Sequence, residues 1–220
     1  MNKKIQLIES AIDAFNKTKY EFEIFQDGIK KYFLQNPDVS IYVHSIRSRI
    51  KDLSHIREKI QRKWDDKDPI SKDNIFSRIT DLAGVRVLHL FQEQFQFIHS
   101  AIISKVESKD WFLQENPIAY TWDPESVEYF KKFDLSIEKK ESFYTSIHYL
   151  IRPRSDSYIC CEIQVRTIFE EIWGEVDHLL NYPQTTTNLA CKEQILVLAK
   201  LVGAGSRLVD SIFRTHQQKK

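Results

Sequence analysis

The stretch YICCEIQVRT, residues 158–167, decides the fold of this chain because its side chains alternate between apolar and polar. The apolar positions are Ile159, Cys161, Ile163 and Val165, and the polar ones include Glu162, Gln164 and Arg166. A period of two is that of a β-strand, in which successive side chains point to opposite faces. An acid, an amide and a base in a row need partners if that face is covered. The segment is therefore either an antiparallel strand with one solvated face or a strand that contributes to a polar site.

Composition limits the classes of protein that this chain can represent. Its 220 residues are 42% hydrophobic and 12% aromatic with five glycines, which predicts one well-ordered globular domain. A net charge of +1 gives no global electrostatic case for nucleic-acid binding. The three cysteines form neither a disulfide framework nor a metal-ligand spacing. No apolar run approaches the roughly 18 residues of a membrane span, and the N-terminus does not read as a signal peptide. We therefore predict a cytoplasmic protein with no membrane partner.

The spacing of apolar residues predicts the order of helices and strands. Helices are expected over 1–35, about 51–64, near 81, over 93–106 and from 167 onward, and strands over 39–50, 85–91, 143–151 and 158–166. The segment 111–126 fits neither pattern. The fold class is therefore α+β, with a mixed sheet of four or five strands flanked by helices. A single domain is predicted, with N-terminal helices over 1–36, a core over 37–183 and C-terminal helices over 184–220.

Thr167 is expected to cap the helix that follows the polar strand, and Pro183 to end it. The predicted buried side of that helix comprises Ile168, Phe169, Ile172, Trp173, Val176, Leu179 and Leu180. Its acids are expected mostly to face solvent, and His178 to be structural rather than a ligand.

A first polar cluster lies in RSRIKDLSHIREKIQRK, residues 47–63. The cations that share a strand face are Arg47, Arg49 and Lys51, and those that share a helix face are His55, Lys59 and Arg62. Cations at a strand–helix junction suit a polyphosphate, whose negative charges they neutralise. The alternative is a solvated basic face.

A second cluster is DLAGVRV, residues 81–87. Asp81 precedes a strand, Gly84 allows a close backbone approach, and Arg86 projects from the strand. An Asp in this place can hold Mg²⁺, which takes one or two carboxylates together with substrate phosphates. The alternative is a capping or turn aspartate.

A third cluster is FYTSIHY, residues 143–149, with Lys140 just upstream. Tyr144, Ser146 and His148 are expected on one strand face, where the tyrosine ring could stack on a base. The alternative is a half-exposed antiparallel strand. Glu162 completes the set, either as a second metal carboxylate or as the base that activates an attacking hydroxyl.

Together these motifs resemble the synthetase domain of the RelA/SpoT alarmone family in its small single-domain form. The matching residues are Arg49, Lys51, Lys59 and Arg62; Asp81, Gly84 and Arg86 in DLAGVR; Lys140, Tyr144, Ser146 and His148 in KESFYTSIH; and EIQVRT at 162–167. The resemblance covers about residues 40 to 183. It implies a nucleotidyltransferase-like core that transfers the β,γ-diphosphate of ATP to the 3′-hydroxyl of GDP or GTP.

The resemblance also implies roles for the candidate residues. The ATP donor would be held by Arg49, Lys51, Lys59, Arg62 and Arg86. Asp81 and Glu162 would be catalytic and would hold Mg²⁺, with Glu162 also a candidate to deprotonate the acceptor hydroxyl. The acceptor nucleotide would be contacted by Lys140, Tyr144, His148, Gln164, Arg166 and Glu171, with Tyr144 stacking on guanine.

The chain departs from the family pattern at three positions. His55 replaces the usual Ser on the basic helix, Phe143 replaces the Gly before the stacking tyrosine, and Glu171 stands where Asn is common. A carboxylate at 171 accepts hydrogen bonds only, which predicts a preference for guanine over adenine. The short stretch before the first motif and the lack of a His-Asp dipeptide predict that the alarmone hydrolase domain is absent.

Two other functions remain open from the sequence. One is a toxic relative that pyrophosphorylates the 3′ end of tRNA, for which Arg152, Arg154 and the Lys-rich N-terminus would contact the RNA backbone. The other is a non-catalytic nucleotide-binding module, against which the intact acid pair argues. The C-terminal helices are expected either to cover the core or to form a homo-oligomer interface.

Overall fold

A mixed sheet of seven strands forms the centre of the computed structural model, which describes residues 3–181 and 185–217. The strands are β1 (Ser45–Ile50), β2 (Ala83–His89), β3 (Phe112–Leu113), β4 (Ile118–Thr121), β5 (Ser136–Lys139), β6 (Ser146–Arg152) and β7 (Cys161–Thr167). Their order is β1-β2-β7-β6-β4-β5, with β3 on the edge of β6. The β2–β7 and β4–β5 pairs are parallel and the others antiparallel. The central β2–β7 pair places Gly84 opposite Glu162 and Arg86 opposite Gln164, so two predicted motifs lie side by side.

Helices surround this sheet. They are α1 (Lys3–Gln35), α2 (Pro37–Ser40), α3 (Leu53–Arg62), α4 (Ile75–Arg78), α5 (Phe95–Glu107), α6 (Pro124–Phe130), α7 (Ile168–Asn181) and α8 (Leu189–Gln217), with a 3₁₀ turn at Gln92–Gln94. Helix α1 packs against β1, β2 and β7, and its buried phenylalanines share the main core with Val85, Ile163 and Val165. Burial of this apolar surface is the principal stabilising contribution to the fold. The opposite, polar face of β2 and β7 is contacted by α7.

The predicted α+β class with a mixed sheet flanked by helices is confirmed. The sheet has more strands than the four or five expected, because the unassigned segment contains β3 and β4 and is followed by β5. The capping of α7 is also confirmed: Thr167 Oγ1 accepts from the backbone N–H of Glu170, and the Glu170 carboxylate accepts from that of Thr167. This reciprocal pair is a capping box. The last C-terminal segment is one helix, α8.

The prediction of a strand from residue 39 was wrong. Residues 37–40 form α2, and the strand begins only at Ser45. Asn36 caps the helix by accepting from the backbone N–H of Asp38, and Pro37 occupies the first turn. An Asn-Pro pair is well suited to start a helix, since Pro lacks the N–H that would be unsatisfied there. The alternation of Val39, Ile41 and Val43 predicts a strand, yet Val39 lies in α2 and Ile41 is exposed.

The third predicted strand also begins later than expected, at Ser146 rather than at residue 143. Phe143 has φ 62, a left-handed backbone conformation that a strand cannot contain. Tyr144 therefore precedes β6 instead of sharing its face with Ser146 and His148.

The predicted buried side of α7 was wrong at several positions. Trp173 is buried, but Ile172 is 51% exposed and Leu179 is 78% exposed, and Leu180 is exposed as well. Instead α7 buries Glu171, because the helix lies over the polar face of the sheet and must pair with arginines there. The predicted helix end at Pro183, and with it the domain boundary at 183/184, lies outside the described residues. The division of the chain into 1–36, 37–183 and 184–220 stays a prediction.

Helices α1 and α8 are long, yet both carry many charged residues. In the part of the chain that the structure describes, no helix is both long and apolar enough to cross a membrane.

Candidate active site

A cleft of about 660 Å³ opens over the polar face of β1, β2 and β7, beside α7. Seven predicted site residues line it: Arg49, Asp81, Arg86, Tyr144, Glu162, Gln164 and Arg166. They come from four separate motifs, so the fold brings together what the sequence keeps up to 117 positions apart, the interval from Arg49 to Arg166. The cleft is therefore the candidate site, because residues from all of these motifs meet there.

Asp81 is a carboxylate of the cleft that two lysines contact. Its Oδ2 lies 2.5 Å from Lys51 Nζ and 2.6 Å from Lys59 Nζ. Burial raises the pKa of Asp81, but the hydrogen bonds and charges of the two lysines outweigh burial and lower the pKa to about 2. Asp81 is thus ionised at neutral pH. Its other oxygen, Oδ1, is buried and has no hydrogen-bond partner among the described residues.

Glu162 forms the second acidic centre, held by β6 and β7. Its Oε1 lies 2.9 Å from His148 Nδ1, and its Oε2 accepts from Gln164 Nε2 at 2.6 Å. Burial raises the pKa of Glu162, but the hydrogen bond and charge of His148 outweigh it and leave the pKa lowered. An ionised carboxylate only accepts, so the shared proton belongs on His148 Nδ1. The other ring nitrogen of His148, Nε2, lies 3.0 Å from the Tyr144 hydroxyl.

Arginines and acids alternate along the α7 side of the cleft. Glu171, whose side chain is 5% exposed, lies 3.1 Å from Arg47, 3.2 Å from Arg86 and 2.7 Å from Arg166. Glu175 also approaches Arg47 and Arg86, at 3.2 and 3.0 Å. The Arg86 Nε–H further donates to Gln164 Oε1 at 3.2 Å. Glu171 thus fixes three guanidinium groups, all of which line the cleft together with Asp81 and Glu162.

Arg166 links this cluster to the tyrosine. Its guanidinium lies 5.8 Å from the centre of the Tyr144 ring, a cation–π distance. On its other side, a Cβ placed on Gly174 would lie 2.9 Å from Arg166 Nη1. The missing side chain at 174 therefore provides the space in α7 that Arg166 occupies.

The remaining predicted residues lie around the cleft. Lys51 and Lys59 contact Asp81, His148 supports Glu162, and Glu171 lies beneath the arginines. Lys140 pairs with Glu138 and lies 4.2 Å from the Tyr120 ring, which packs edge-on against His148. Arg62 is exposed on α3 and does not line the cleft.

Several lining residues were missing from the predicted set: Arg47, Ser48, Gly84, Val85, Trp173, Gly174, Glu175, Asp177, His178 and Asn181. Six of them lie on α7. Among these, Gly174, Glu175 and His178 follow Glu171 by three, four and seven residues, and residues at that spacing share a helix face. That spacing is the signal that could have found them. Arg47 and Gly84 belong to the predicted motifs but not to the predicted set of site residues, although both line the cleft.

The carboxylates of Asp81 and Glu162 are the groups that could hold a divalent cation. The unpartnered Asp81 Oδ1 is a fitting ligand atom, and each oxygen of Glu162 keeps a free lone pair beside its existing hydrogen bond. No group of three or more His, Cys, Asp or Glu residues suited to a metal occurs among residues 3–181 and 185–217. A cation here would complete its shell with water and ligand oxygens, as Mg²⁺ does.

A cleft with ionised carboxylates and several fixed cations is suited to binding a polyphosphate ligand together with a divalent cation. The sequence model of the region found in RelA / SpoT proteins matches residues 48–187. The chain therefore belongs to the RelA/SpoT family, as its motifs indicated.

Individual relatives agree with this assignment. The GTP pyrophosphokinase YjbM of Bacillus subtilis is 23% identical over 179 residues, which cover 79% of this chain and 72% of that protein. A GTP pyrophosphokinase family protein from Streptococcus pneumoniae has a similar structure, with a TM-score of 0.66, 20% identity, and coverage of 100% and 97% of the two chains. The small alarmone synthetase 1 from Bacillus subtilis bound to its product pppGpp gives a TM-score of 0.63 at 20% identity, covering 94% and 96%. The two structural matches confirm the fold.

Proposed function

We propose that this chain is a GTP/GDP pyrophosphokinase that transfers the β,γ-diphosphate of ATP to the 3′-hydroxyl of GDP or GTP and so makes the alarmone (p)ppGpp. The observation that carries the proposal is that Asp81 and Glu162, both with lowered pKa values, face one cleft with Arg49, Arg86 and Arg166. The names of the relatives support it, since one is a GTP pyrophosphokinase, one is a GTP pyrophosphokinase family protein, and the third is a small alarmone synthetase bound to its product pppGpp.

On the donor side, cations from β1, α3 and β2 would bind ATP. Arg49 and Arg86 line the cleft, and Lys51 and Lys59 meet at Asp81. Asp81 and Glu162 would hold Mg²⁺, which when bound neutralises charge on the transferred diphosphate. Arg62 follows Lys59 on α3 and would also contact the donor. Positioning and charge neutralisation are the main catalytic requirements of this kind of transfer.

On the acceptor side, Glu162 would accept the proton of the 3′-hydroxyl. Its lowered pKa keeps it ionised at neutral pH, and its hydrogen bonds to His148 and Gln164 fix its orientation. Tyr144 would stack on the acceptor base from a ring supported by Arg166. Lys140 and His148 would contact phosphates at the β6 end of the cleft.

Glu171 would act differently from the sequence prediction, which had its carboxylate accept from guanine. Both of its oxygens already lie against guanidinium groups. We propose that Glu171 orients Arg86 and Arg166, and that any preference for guanine has to come from other groups around the base.

The test is to incubate the purified chain with γ-labelled ATP and Mg²⁺, and separately with GDP, GTP, ADP or bulk tRNA. Label in ppGpp or pppGpp is the expected result, and it should disappear without Mg²⁺ or in Glu162→Gln. Label in tRNA instead would make this chain a tRNA-modifying toxin of the same fold. Absence of transfer to every acceptor, together with tight nucleotide binding, would identify a non-catalytic nucleotide-binding module.

We also propose a cytoplasmic location and a homo-oligomeric assembly. The cysteines Cys160, Cys161 and Cys191 are all free, as is usual in a reducing compartment. Along α8, the exposed apolar residues Val197, Leu201, Leu208 and Ile212 recur at helical spacing, and a second copy of this chain would cover them. Light scattering of the wild type and of Leu201→Glu tests the assembly. A mass of one chain for both proteins would reject it.

A further inference from the structure

Phe143 has an unusual backbone conformation next to the tyrosine of the acceptor side. Its φ is 62, and only one other non-glycine residue in the described ranges, Lys109, also has positive φ. The left-handed region crowds Cβ against the following carbonyl oxygen, so a bulky residue is disfavoured there. Such a conformation persists only where surrounding contacts hold it.

Those contacts are aromatic and apolar. The Phe143 ring lies 4.8 Å from the Trp122 ring, measured between centroids. It also packs against a cluster separate from the main core, which we call the satellite cluster: buried Trp173, Ile195, Ala199 and Val202, with Trp122, Phe143, Tyr144, Phe169 and Leu198 around them. The cluster draws its buried residues from α7 and α8. Burial of the Phe143 ring there offsets the unfavourable backbone conformation.

Helix α8 is in turn fixed to the segment that carries Trp122. Arg207 lies 2.7 Å from Asp123 and 3.1 Å from Glu125, and Asp123 caps α6 through the backbone N–H of Ser126. The Trp122 ring and the α8 residues of the satellite cluster are therefore held in one arrangement. Phe143 packs against both.

The residues after Phe143 are fixed as well. Thr145 Oγ1 lies 3.1 Å from Thr121 Oγ1 in a buried contact, and the Tyr144 hydroxyl lies 3.0 Å from His148 Nε2. Tyr144 thus sits between an anchored Phe143 and an anchored Thr145, with its ring beside Arg166. A glycine at 143 would tolerate the left-handed backbone without strain, but it would supply no anchor.

We propose that Phe143 is a positioning residue for Tyr144: its ring, packed between Trp122 and α8, holds the acceptor side of the cleft in its binding arrangement before any nucleotide enters. The inference rests on the proposed function, because Tyr144 contacts an acceptor base only under that reading. It goes beyond that function because it makes the packing of α8 against Trp122 and Phe143 a determinant of the affinity for the acceptor. Preorganisation of this kind lowers the ordering cost of binding.

The test compares Phe143→Gly, which removes ring and strain together, with Phe143→Leu, which keeps an apolar side chain. In Phe143→Gly the KM for GDP or GTP should rise about tenfold, while the KM for ATP and the Tm stay near wild type. Phe143→Leu should recover most of the lost acceptor affinity. The matched control is Phe97→Ala. The Phe97 ring stacks on the Tyr42 ring with 4.0 Å between their centroids, and neither residue lines the cleft. This variant should leave both KM values unchanged.

A second readout does not depend on catalysis. Trypsin cleavage after Lys140 needs local opening of the segment before Phe143, so ligand-free Phe143→Gly should be cut several-fold faster than wild type and Phe97→Ala should not. An unchanged cleavage rate, or an unchanged acceptor KM despite faster cleavage, would overturn the positioning role. If the wild type transfers label to no acceptor, the proposed function fails, and the cleavage rates alone decide whether Phe143 anchors this segment.

Discussion

Glu162 Oε1 lies 2.9 Å from His148 Nδ1, and this contact joins two strands at the centre of the cleft. Because the carboxylate can only accept, His148 Nδ1–H donates to it, and the other ring nitrogen lies 3.0 Å from the Tyr144 hydroxyl. One ionised carboxylate thus orders a chain of three side chains on the acceptor side. Loss of its charge should affect reactivity more than stability.

The first prediction is that Glu162→Gln loses about 10²–10⁴-fold in kcat, the range typical for removal of a general base. The amide has nearly the same shape and can still contact His148, so the Tm should fall by only a few degrees. Steady-state kinetics and a thermal melt check both expectations. Turnover within threefold of wild type would show that another group accepts the proton.

The second prediction concerns stability in acid. The pKa of Asp81 is lowered from 3.8 to about 2 in the folded protein. Because the folded-state pKa lies below the ordinary value, the ionised carboxylate contributes stability above about pH 4, and that contribution is lost as the pH falls towards 2. The shift corresponds to about 2 kcal/mol.

Asp81→Asn is the matched variant for this measurement. It should be less stable than wild type at pH 7, by about 3 kcal/mol, because Lys51 and Lys59 lose their shared partner in a mostly buried place. Urea unfolding at pH 7 and at pH 2.5 should show the difference between the two proteins shrinking in acid. A difference that stays constant with pH would contradict the assigned ion pairs.

The third prediction concerns Glu175, whose carboxylate lies 3.0 Å from Arg86 Nη1. Phosphates that bind Arg86 must compete with this half-exposed acid. Glu175→Gln should therefore lower the KM for ATP about two- to threefold, the scale of an exposed ion pair. Glu9→Gln is the control, because Glu9 forms a similarly exposed pair with Arg57 outside the cleft. A higher KM for ATP in Glu175→Gln would mean that the acid holds Arg86 in its binding position.

Much of the cleft was predictable from the sequence, because its motifs carry their chemistry in short local patterns. The alternation around Glu162 predicted a strand with a polar face. That strand is β7, in which Gln164 lies opposite Arg86 of the parallel strand β2. The capping pair of Thr167 and Glu170 was also local. In such cases the residues that define the feature are neighbours in the chain.

The rest depended on long-range packing that no local pattern contains. Helix α7 was expected to bury its leucines, but it lies over arginines and buries Glu171 instead. The left-handed backbone at Phe143 is held by contacts with Trp122 and with the satellite cluster, which the local sequence around Phe143 does not contain. Secondary-structure propensity and the spacing of apolar residues describe one segment at a time, and tertiary contacts override them.

The fourth prediction tests the close approach of α7 to Arg166. A Gly→Ala change inside a helix normally stabilises it by about 1 kcal/mol. At Gly174, however, the new Cβ would lie 2.9 Å from Arg166 Nη1, so the guanidinium must move away from Glu171 and from the Tyr144 ring. Gly174→Ala should therefore gain no stability, and its KM for the acceptor should rise while the KM for ATP changes less.

Gly28→Ala is the control for this variant, because Gly28 lies in α1 and nothing is within 4 Å of its added Cβ. It should show the ordinary gain in the free energy of unfolding, about 0.5–1 kcal/mol, with both KM values unchanged. Urea unfolding and acceptor titrations of the two alanine variants give the comparison. Equal stabilisation of the two variants would show that Arg166 does not need the space that Gly174 leaves. An unchanged KM for the acceptor in Gly174→Ala would show that the position of Arg166 beside Tyr144 has no part in acceptor binding.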